Sequence, residues 1–67
     1  MELKVQGEYI TLQQLLKACD FISSGGESRW FLQEHRVLVN GEEETRRGKK
    51  LYSGDQVEIE DQTIRLV

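Results

Sequence analysis

The stretch ESRWFLQEHRVLVNG, residues 27–41, changes from a helical pattern to an extended one within fifteen residues. Its first half places Phe31 and Leu32 on one side of a helix, which we expect to run from about Gly26 to Glu34. The second half is an extended RVLV segment followed by Asn-Gly, a pair that tolerates positive φ and is typical of tight hairpins. The stretch therefore predicts a helix, a strand and a hairpin turn in succession.

A second helix is predicted immediately before this stretch. Thr11 can cap its first turn, and Gln14, three residues later, can bond back to the cap. Apolar residues then follow at the spacing of one buried helical face: Leu12, Leu15, Leu16 and Cys19. We expect this helix to span about Thr11 to Cys19, with SSGG at positions 23–26 separating it from the next helix.

The remaining apolar residues alternate with polar ones and predict short strands. Leu3 and Val5 suggest an opening strand, residues 42–45 a return strand of the hairpin, and residues 56–60 a further strand. Ile64 and Leu66 suggest a closing strand that can pair with the first. The expected fold class is α+β, with two packed helices against a small, mainly antiparallel sheet.

Size and composition favour a binding module. With 67 residues we expect one domain, 1–67. We see no apolar run of membrane-span length and no features of a secretory signal. The single cysteine allows no internal disulfide, so we expect a reducing, cytoplasmic setting. One Cys and one His, Cys19 and His35, predict no metal site and no cofactor. No catalytic constellation is visible, so we expect no enzyme activity.

Positive charge is concentrated in TRRGKK, residues 45–50. The chain has 12 Asp and Glu against 9 Lys and Arg, and without the four cations of this segment the rest would carry a formal charge of −7. A short charge run can be a solvated surface loop or a phosphate-binding surface. Residues 29–50, which also contain Arg29 and Arg36, are the only positive part of the chain, with a formal charge of +2, and this favours binding to a polyanion by counterion release.

The ordered set of signals resembles the RNA-binding domain of ribosomal small-subunit protein four, here called the S-four domain, whose helix–helix–strand core is the αL motif. The matching residues are Leu15, Leu16, Ser24, Glu27, Arg29, Phe31, Leu32, Val37, Val39, Asn40, Gly41, Gly54, Asp55, Val57 and Ile59. Among its members the chain is most similar to the short stand-alone bacterial proteins of the YaaA and YbcJ type. The resemblance implies binding of structured RNA and leaves the physiological RNA open. We expect ribosomal or transfer RNA as the partner and a monomeric protein.

The resemblance and the charge pattern together predict an RNA-binding set of eleven residues: Ser24, Gly25, Gly26, Arg29, Trp30, Gln33, Arg36, Arg46, Arg47, Lys49 and Lys50. Ser24, Gly25 and Gly26 can either offer helix N-terminal N–H groups to a phosphate or simply cap the helix. Trp30 can either stack on an unpaired base or cover the edge of the core. Three features depart from the family, namely the two glycines, Trp30, and the acidic return strand at residues 42–44.

Two other functions compete with RNA binding. The first is a protein-interaction adaptor that docks Trp30 and the basic loop on an acidic protein. The second is duplex DNA binding, for which the second helix offers Arg29 and Gln33 to base edges but carries little positive charge. Duplex DNA is therefore the less expected partner.

Overall fold

The computed structural model describes residues 1–67. The α-helices are α1 (Leu12–Ala18) and α2 (Ser28–Glu34), and a 3-10 turn, Gly25–Glu27, leads into α2. The strands are β1 (Glu2–Leu3), β2 (Ile10–Thr11), β3 (Val37–Val39), β4 (Glu42–Glu43), β5 (Lys50–Leu51), β6 (Gln56–Ile59) and β7 (Gln62–Leu66). The α+β class is confirmed. Neither α-helix has the length and apolar composition of a membrane span.

Helix α1 begins where the sequence predicts. The Thr11 hydroxyl accepts a hydrogen bond from the Gln14 backbone N–H at 3.2 Å, and the Gln14 side chain accepts from the Thr11 N–H at 2.9 Å. This capping box satisfies two backbone donors that a helix end otherwise leaves unpaired. Cys19 ends the helix half-buried against the core, and burial raises the pKa of its thiol.

The main sheet has the order β1-β7-β6-β3-β4. Asn40 and Gly41 both have positive φ, 51° and 86°, and join β3 to β4 in the predicted hairpin. The pairs β3–β4, β3–β6 and β6–β7 are antiparallel, but β1 runs parallel to β7. The expectation of a mainly antiparallel sheet is corrected to a mixed sheet, because the N-terminal segment lies along the last strand in the same direction.

A second, two-stranded ladder was not predicted from the sequence. Strand β2 pairs antiparallel with β5, with Ile10 opposite Leu51 and Thr11 opposite Lys50. Both strands have only two residues, which is too short for an alternating pattern to be recognised. Leu51 is completely buried, so the C-terminal end of TRRGKK continues into a strand fixed in the core.

One hydrophobic cluster joins the helices to one face of the sheet. Its buried members are Val5, Leu12, Leu15, Leu16, Ile22, Leu32, Val37, Val39, Leu51, Val57, Ile59, Ile64 and Leu66. Of the two residues expected to anchor the second helix, Leu32 is buried, whereas Phe31 is partly buried beside Phe21 and His35. Both helices and both ladders therefore contribute side chains to this core. Leu51, the residue that follows TRRGKK, is one of them.

The capping box generates a stability prediction. Replacing Thr11 by Ala removes the hydroxyl that accepts from Gln14 N–H, and we expect the free energy of unfolding to fall by about 1 kcal/mol. Urea unfolding followed by circular dichroism measures this change. Thr45→Ala makes the same chemical change at an exposed residue whose hydroxyl has no partner, and a comparable loss of stability in that variant would contradict the assignment.

Candidate functional site

The first turn of α1 holds the basic loop in place. The Leu12 N–H donates to the Lys49 carbonyl oxygen and the Gln13 N–H to the Arg47 carbonyl oxygen, each at 2.9 Å. Together with the capping box, these bonds give partners to four successive backbone donors at the start of α1. Because the loop is bound through its carbonyl groups, the side chains of Arg47 and Lys49 are left for other contacts.

A groove of about 750 Å³ lies between α2 and the basic loop. Arg29 and Gln33, one helical turn apart on α2, line one wall, and Arg46, Arg47 and Gly48 line the other. Leu32, Glu43 and Thr45 complete the lining. The structure thus brings together four of the eleven predicted site residues, from segments separated by more than a dozen positions.

A second depression, of about 390 Å³, adjoins the groove through Arg46 and Gly48. Its other lining residues are Lys49, Lys50 and Tyr52. The Lys50 ammonium lies 4.9 Å from the centre of the Tyr9 ring, a cation–π distance. Lys49 and Lys50 therefore extend the positive surface of the groove toward two tyrosines that were not among the predicted site residues.

Ser24, Gly25 and Gly26, three predicted site residues on the N-terminal side of α2, lie outside both depressions. The Glu27 carboxylate accepts from the backbone N–H groups of Ser23 and Ser24, each at 2.9 Å, and so occupies donors that a phosphate would use. A Cβ on Gly25 would come within 2.6 Å of the Gln13 amide nitrogen, which is the end of a flexible side chain and can shift, so packing alone does not require this glycine. A phosphate contact at Ser24, Gly25 and Gly26 remains a prediction, and such a phosphate would compete with Glu27.

Trp30 and Arg36 are exposed and are not among the residues that line the groove. Trp30 is 67% exposed, so it does not cover the core edge, and its ring is accessible to a ligand. Arg36 is also exposed, and its Nε is 3.9 Å from a carboxylate oxygen of Glu43. At that distance between exposed groups the pair is weak and leaves the guanidinium accessible.

Comparison with known proteins agrees with this architecture. A family model described as the S4 domain matches residues 3–67. The chain belongs to the S4 domain family. It is also similar to the "Probable ribosome maturation protein RlbA" of Bacillus subtilis (strain 168), with 59% identity over 58 residues, which are 87% of this chain and 82% of the relative.

Two residues that support the S4 resemblance form a structural bridge. The Asn40 amide donates to Asp55 Oδ1 at 3.1 Å and its carbonyl oxygen accepts from the Gln56 N–H at 3.0 Å. The second oxygen of Asp55 accepts from the Tyr52 N–H at 2.8 Å. Asn40 and Asp55 therefore connect the hairpin to the turn after the basic loop, which explains why this S4 domain has those residue types there.

Glu44 is a site residue that the sequence analysis missed. Its Oε2 accepts from Arg46 Nε at 3.0 Å and its Oε1 from Arg46 Nη2 at 3.2 Å, and Oε2 also accepts from the backbone N–H groups of Thr45 and Arg46. These bonds fold the loop back on β4 and orient the Arg46 guanidinium. The sequence signal was a carboxylate two positions before an arginine, which is too common to identify such a contact.

The contact with Arg46 and the backbone N–H groups lowers the pKa of Glu44 to about 2. All of these donors favour the ionised carboxylate, and they outweigh the effect of its partial burial. The Arg46 side chain is 74% exposed, whereas that of Glu44 is 11% exposed. The ionised form of Glu44 is therefore the one that the folded loop requires.

We expect this contact to make stability depend on acid. A carboxyl group whose pKa is lower in the folded chain stabilises the fold above its unfolded pKa, and that contribution disappears as the pH falls through the folded value. Between about pH 4.5 and 2 the wild type should therefore lose more stability than Glu44→Gln, by on the order of 1 kcal/mol, since water screens the exposed guanidinium. Urea unfolding at a series of pH values measures the difference.

Glu43→Gln is the matched control, because the charged partner of the Glu43 carboxylate is Arg36, at 3.9 Å, and both side chains are exposed. Its stability should follow the wild-type pH profile closely. A Glu44→Gln profile parallel to the wild type would show that the bond between Glu44 and Arg46 does not persist in solution.

Proposed function

We propose that this chain is a single RNA-binding domain, residues 1–67, that recognises structured RNA through the face containing the groove. It acts as a monomer in the cytoplasm and performs no catalysis. Ribosomal RNA and transfer RNA are the proposed ligands, and ribosomal RNA is favoured by the similarity to a protein named for ribosome maturation. Membership of the S4 domain family supports RNA rather than duplex DNA.

The observation that carries this proposal is the convergence of Arg29, Gln33, Arg46 and Arg47 on one groove of about 750 Å³. The chain as a whole has a net charge of −3, so a local cluster of arginines is not a consequence of composition. An acidic chain has little general attraction for polyanions. A single positive face on such a chain allows phosphate binding in one orientation.

The arginines and lysines of this face can divide the contacts. Arg29 and Arg47 offer planar forks that can donate two parallel hydrogen bonds to a phosphate. Lys49 and Lys50 act as point charges in the adjoining depression. Gln33 adds a neutral amide, one turn after Arg29, which can bond to a sugar hydroxyl or a base edge. The arrangement suits recognition of the geometry of the RNA backbone, with few contacts that distinguish one base from another.

The salt dependence of binding tests the location of the phosphate contacts. We expect Arg47→Gln/Lys49→Gln/Lys50→Gln to weaken binding to a structured ribosomal RNA fragment and to flatten the slope of log affinity against log salt by up to about 3, roughly one for each phosphate that the variant no longer neutralises. The measurement is a titration at several salt concentrations with the RNA fragment, a transfer RNA and a duplex DNA.

Lys4→Gln/Lys17→Gln/Arg65→Gln is the matched control, since it removes the same net charge from exposed residues outside both depressions. This variant should keep most of the wild-type slope. Equal effects of the two triple variants would place the interaction elsewhere. Absence of RNA binding at low salt, with stable capture of an acidic protein, would favour the adaptor function.

Trp30 gives an independent test, because it is the only tryptophan and is 67% exposed. If a base stacks on it, RNA should quench its fluorescence, and Trp30→Leu should weaken binding by roughly 5- to 100-fold while leaving the salt slope unchanged. Tyr52→Phe retains Trp30 and serves as the control. Quenching in the wild type with unchanged affinity in Trp30→Leu would show that the ring lies near the RNA but does not stack on it.

A further inference from the structure

The β2–β5 ladder places two tyrosines side by side on the surface. Ile10 lies opposite Leu51 in this ladder, and both contact the core. Successive side chains of a strand point to opposite faces, so the next residues along the ladder, Tyr9 and Tyr52, point away from the core. Their ring centres are 6.1 Å apart, with an angle of 57° between the planes.

This tyrosine pair, Tyr9 and Tyr52, remains accessible although its rings touch. Tyr9 is 39% exposed and Tyr52 is 45% exposed. Two tyrosines that served only to close the ladder could bury more of their surface against Lys50 and the neighbouring strands. Instead, Tyr52 forms part of the wall of the depression that also contains Arg46, Gly48, Lys49 and Lys50.

The charges around Tyr52 suit a nucleotide more than a neutral apolar ligand. Lys49 and Lys50 lie beside it, and the Lys50 ammonium lies over Tyr9. Two neighbouring carboxylates are engaged, since Asp55 accepts from the Tyr52 N–H and Glu44 accepts from Arg46. Glu42 and Glu43 line an adjoining depression on the other side of Tyr52, so the positive charge lies on the side of Gly48, Lys49 and Lys50. An aromatic ring next to ammonium groups can stack a base while the ammonium groups contact its phosphate.

We infer that the tyrosine pair stacks an unpaired base of the RNA, next to the segment whose phosphates occupy the groove. The inference rests on the proposed function and narrows its ligand to a stem that carries an unpaired nucleotide, as in a bulge or a single-stranded extension. Tyr52 is the stacking surface, because it is the more exposed ring and adjoins the lysines. Tyr9 supports that ring and positions the Lys50 ammonium.

The test compares three RNAs that share one stem: a fully paired hairpin, the hairpin with one bulged 2-aminopurine, and the hairpin with a four-nucleotide 3′ extension containing 2-aminopurine. We expect the wild type to bind at least one of the unpaired forms more tightly than the paired hairpin and to quench its 2-aminopurine fluorescence. Tyr52→Leu should lower that preference by roughly 5- to 100-fold, as expected for removal of base–aromatic stacking.

Tyr52→Phe is the control, because it keeps the ring and should keep both the preference and the quenching. Tyr9→Leu should reduce the preference in part, which keeps the inference testable if Tyr52→Leu does not fold. Equal affinity of the wild type for all three RNAs would overturn the inference and leave the proposed function intact. Binding of none of the three, nor of the ribosomal RNA fragment, would overturn both.

Discussion

The backbone donors at the start of α1 are the constraint on which the arrangement of this domain depends. A helix N-terminus exposes N–H groups that need acceptors, and here the acceptors for Leu12 and Gln13 are the carbonyl groups of Lys49 and Arg47. This brings a loop more than thirty residues away in the sequence against the first helix. Leu51, fully buried, prevents the loop from moving away on its C-terminal side. Local helix chemistry thus determines where the positive charge lies.

The acidic residues of the return strand have a structural part in the same surface. Repulsion among Arg46, Arg47, Lys49 and Lys50 opposes their assembly in a loop of six residues. The Glu44 carboxylate offsets part of this repulsion and also satisfies two backbone donors of the loop. The acidic residues 42–44 depart from the family pattern in composition, yet they are compatible with a basic face, because Glu44, which follows β4, turns toward the loop.

The sequence predicted the parts of the fold that depend on local chemistry. The capping box at Thr11, the hairpin at Asn40 and the two helices follow from short patterns, and the structure confirms them. The pairing of the first strand with the last was also expected, but its parallel direction was not. That direction and the β2–β5 ladder depend on contacts between distant segments, which strands of two residues do not reveal in the sequence. The same distinction applies to the candidate site. Its cations are visible in the sequence as a charge run, whereas the contact of Glu44 with Arg46 depends on how the loop folds.

The way the loop is held also bears on how binding and stability are related. Its anchors are the backbone carbonyl groups of Arg47 and Lys49, which do not change when the side chains are replaced. The fold uses the backbone of these residues and leaves their charged groups to a ligand. Arg46 is the exception, because its guanidinium is bonded to Glu44. This side chain therefore contributes to the fold as well as to the positive surface. A small domain with one core can therefore present a fixed positive surface whose side chains can be replaced without removing the backbone bonds that anchor the loop.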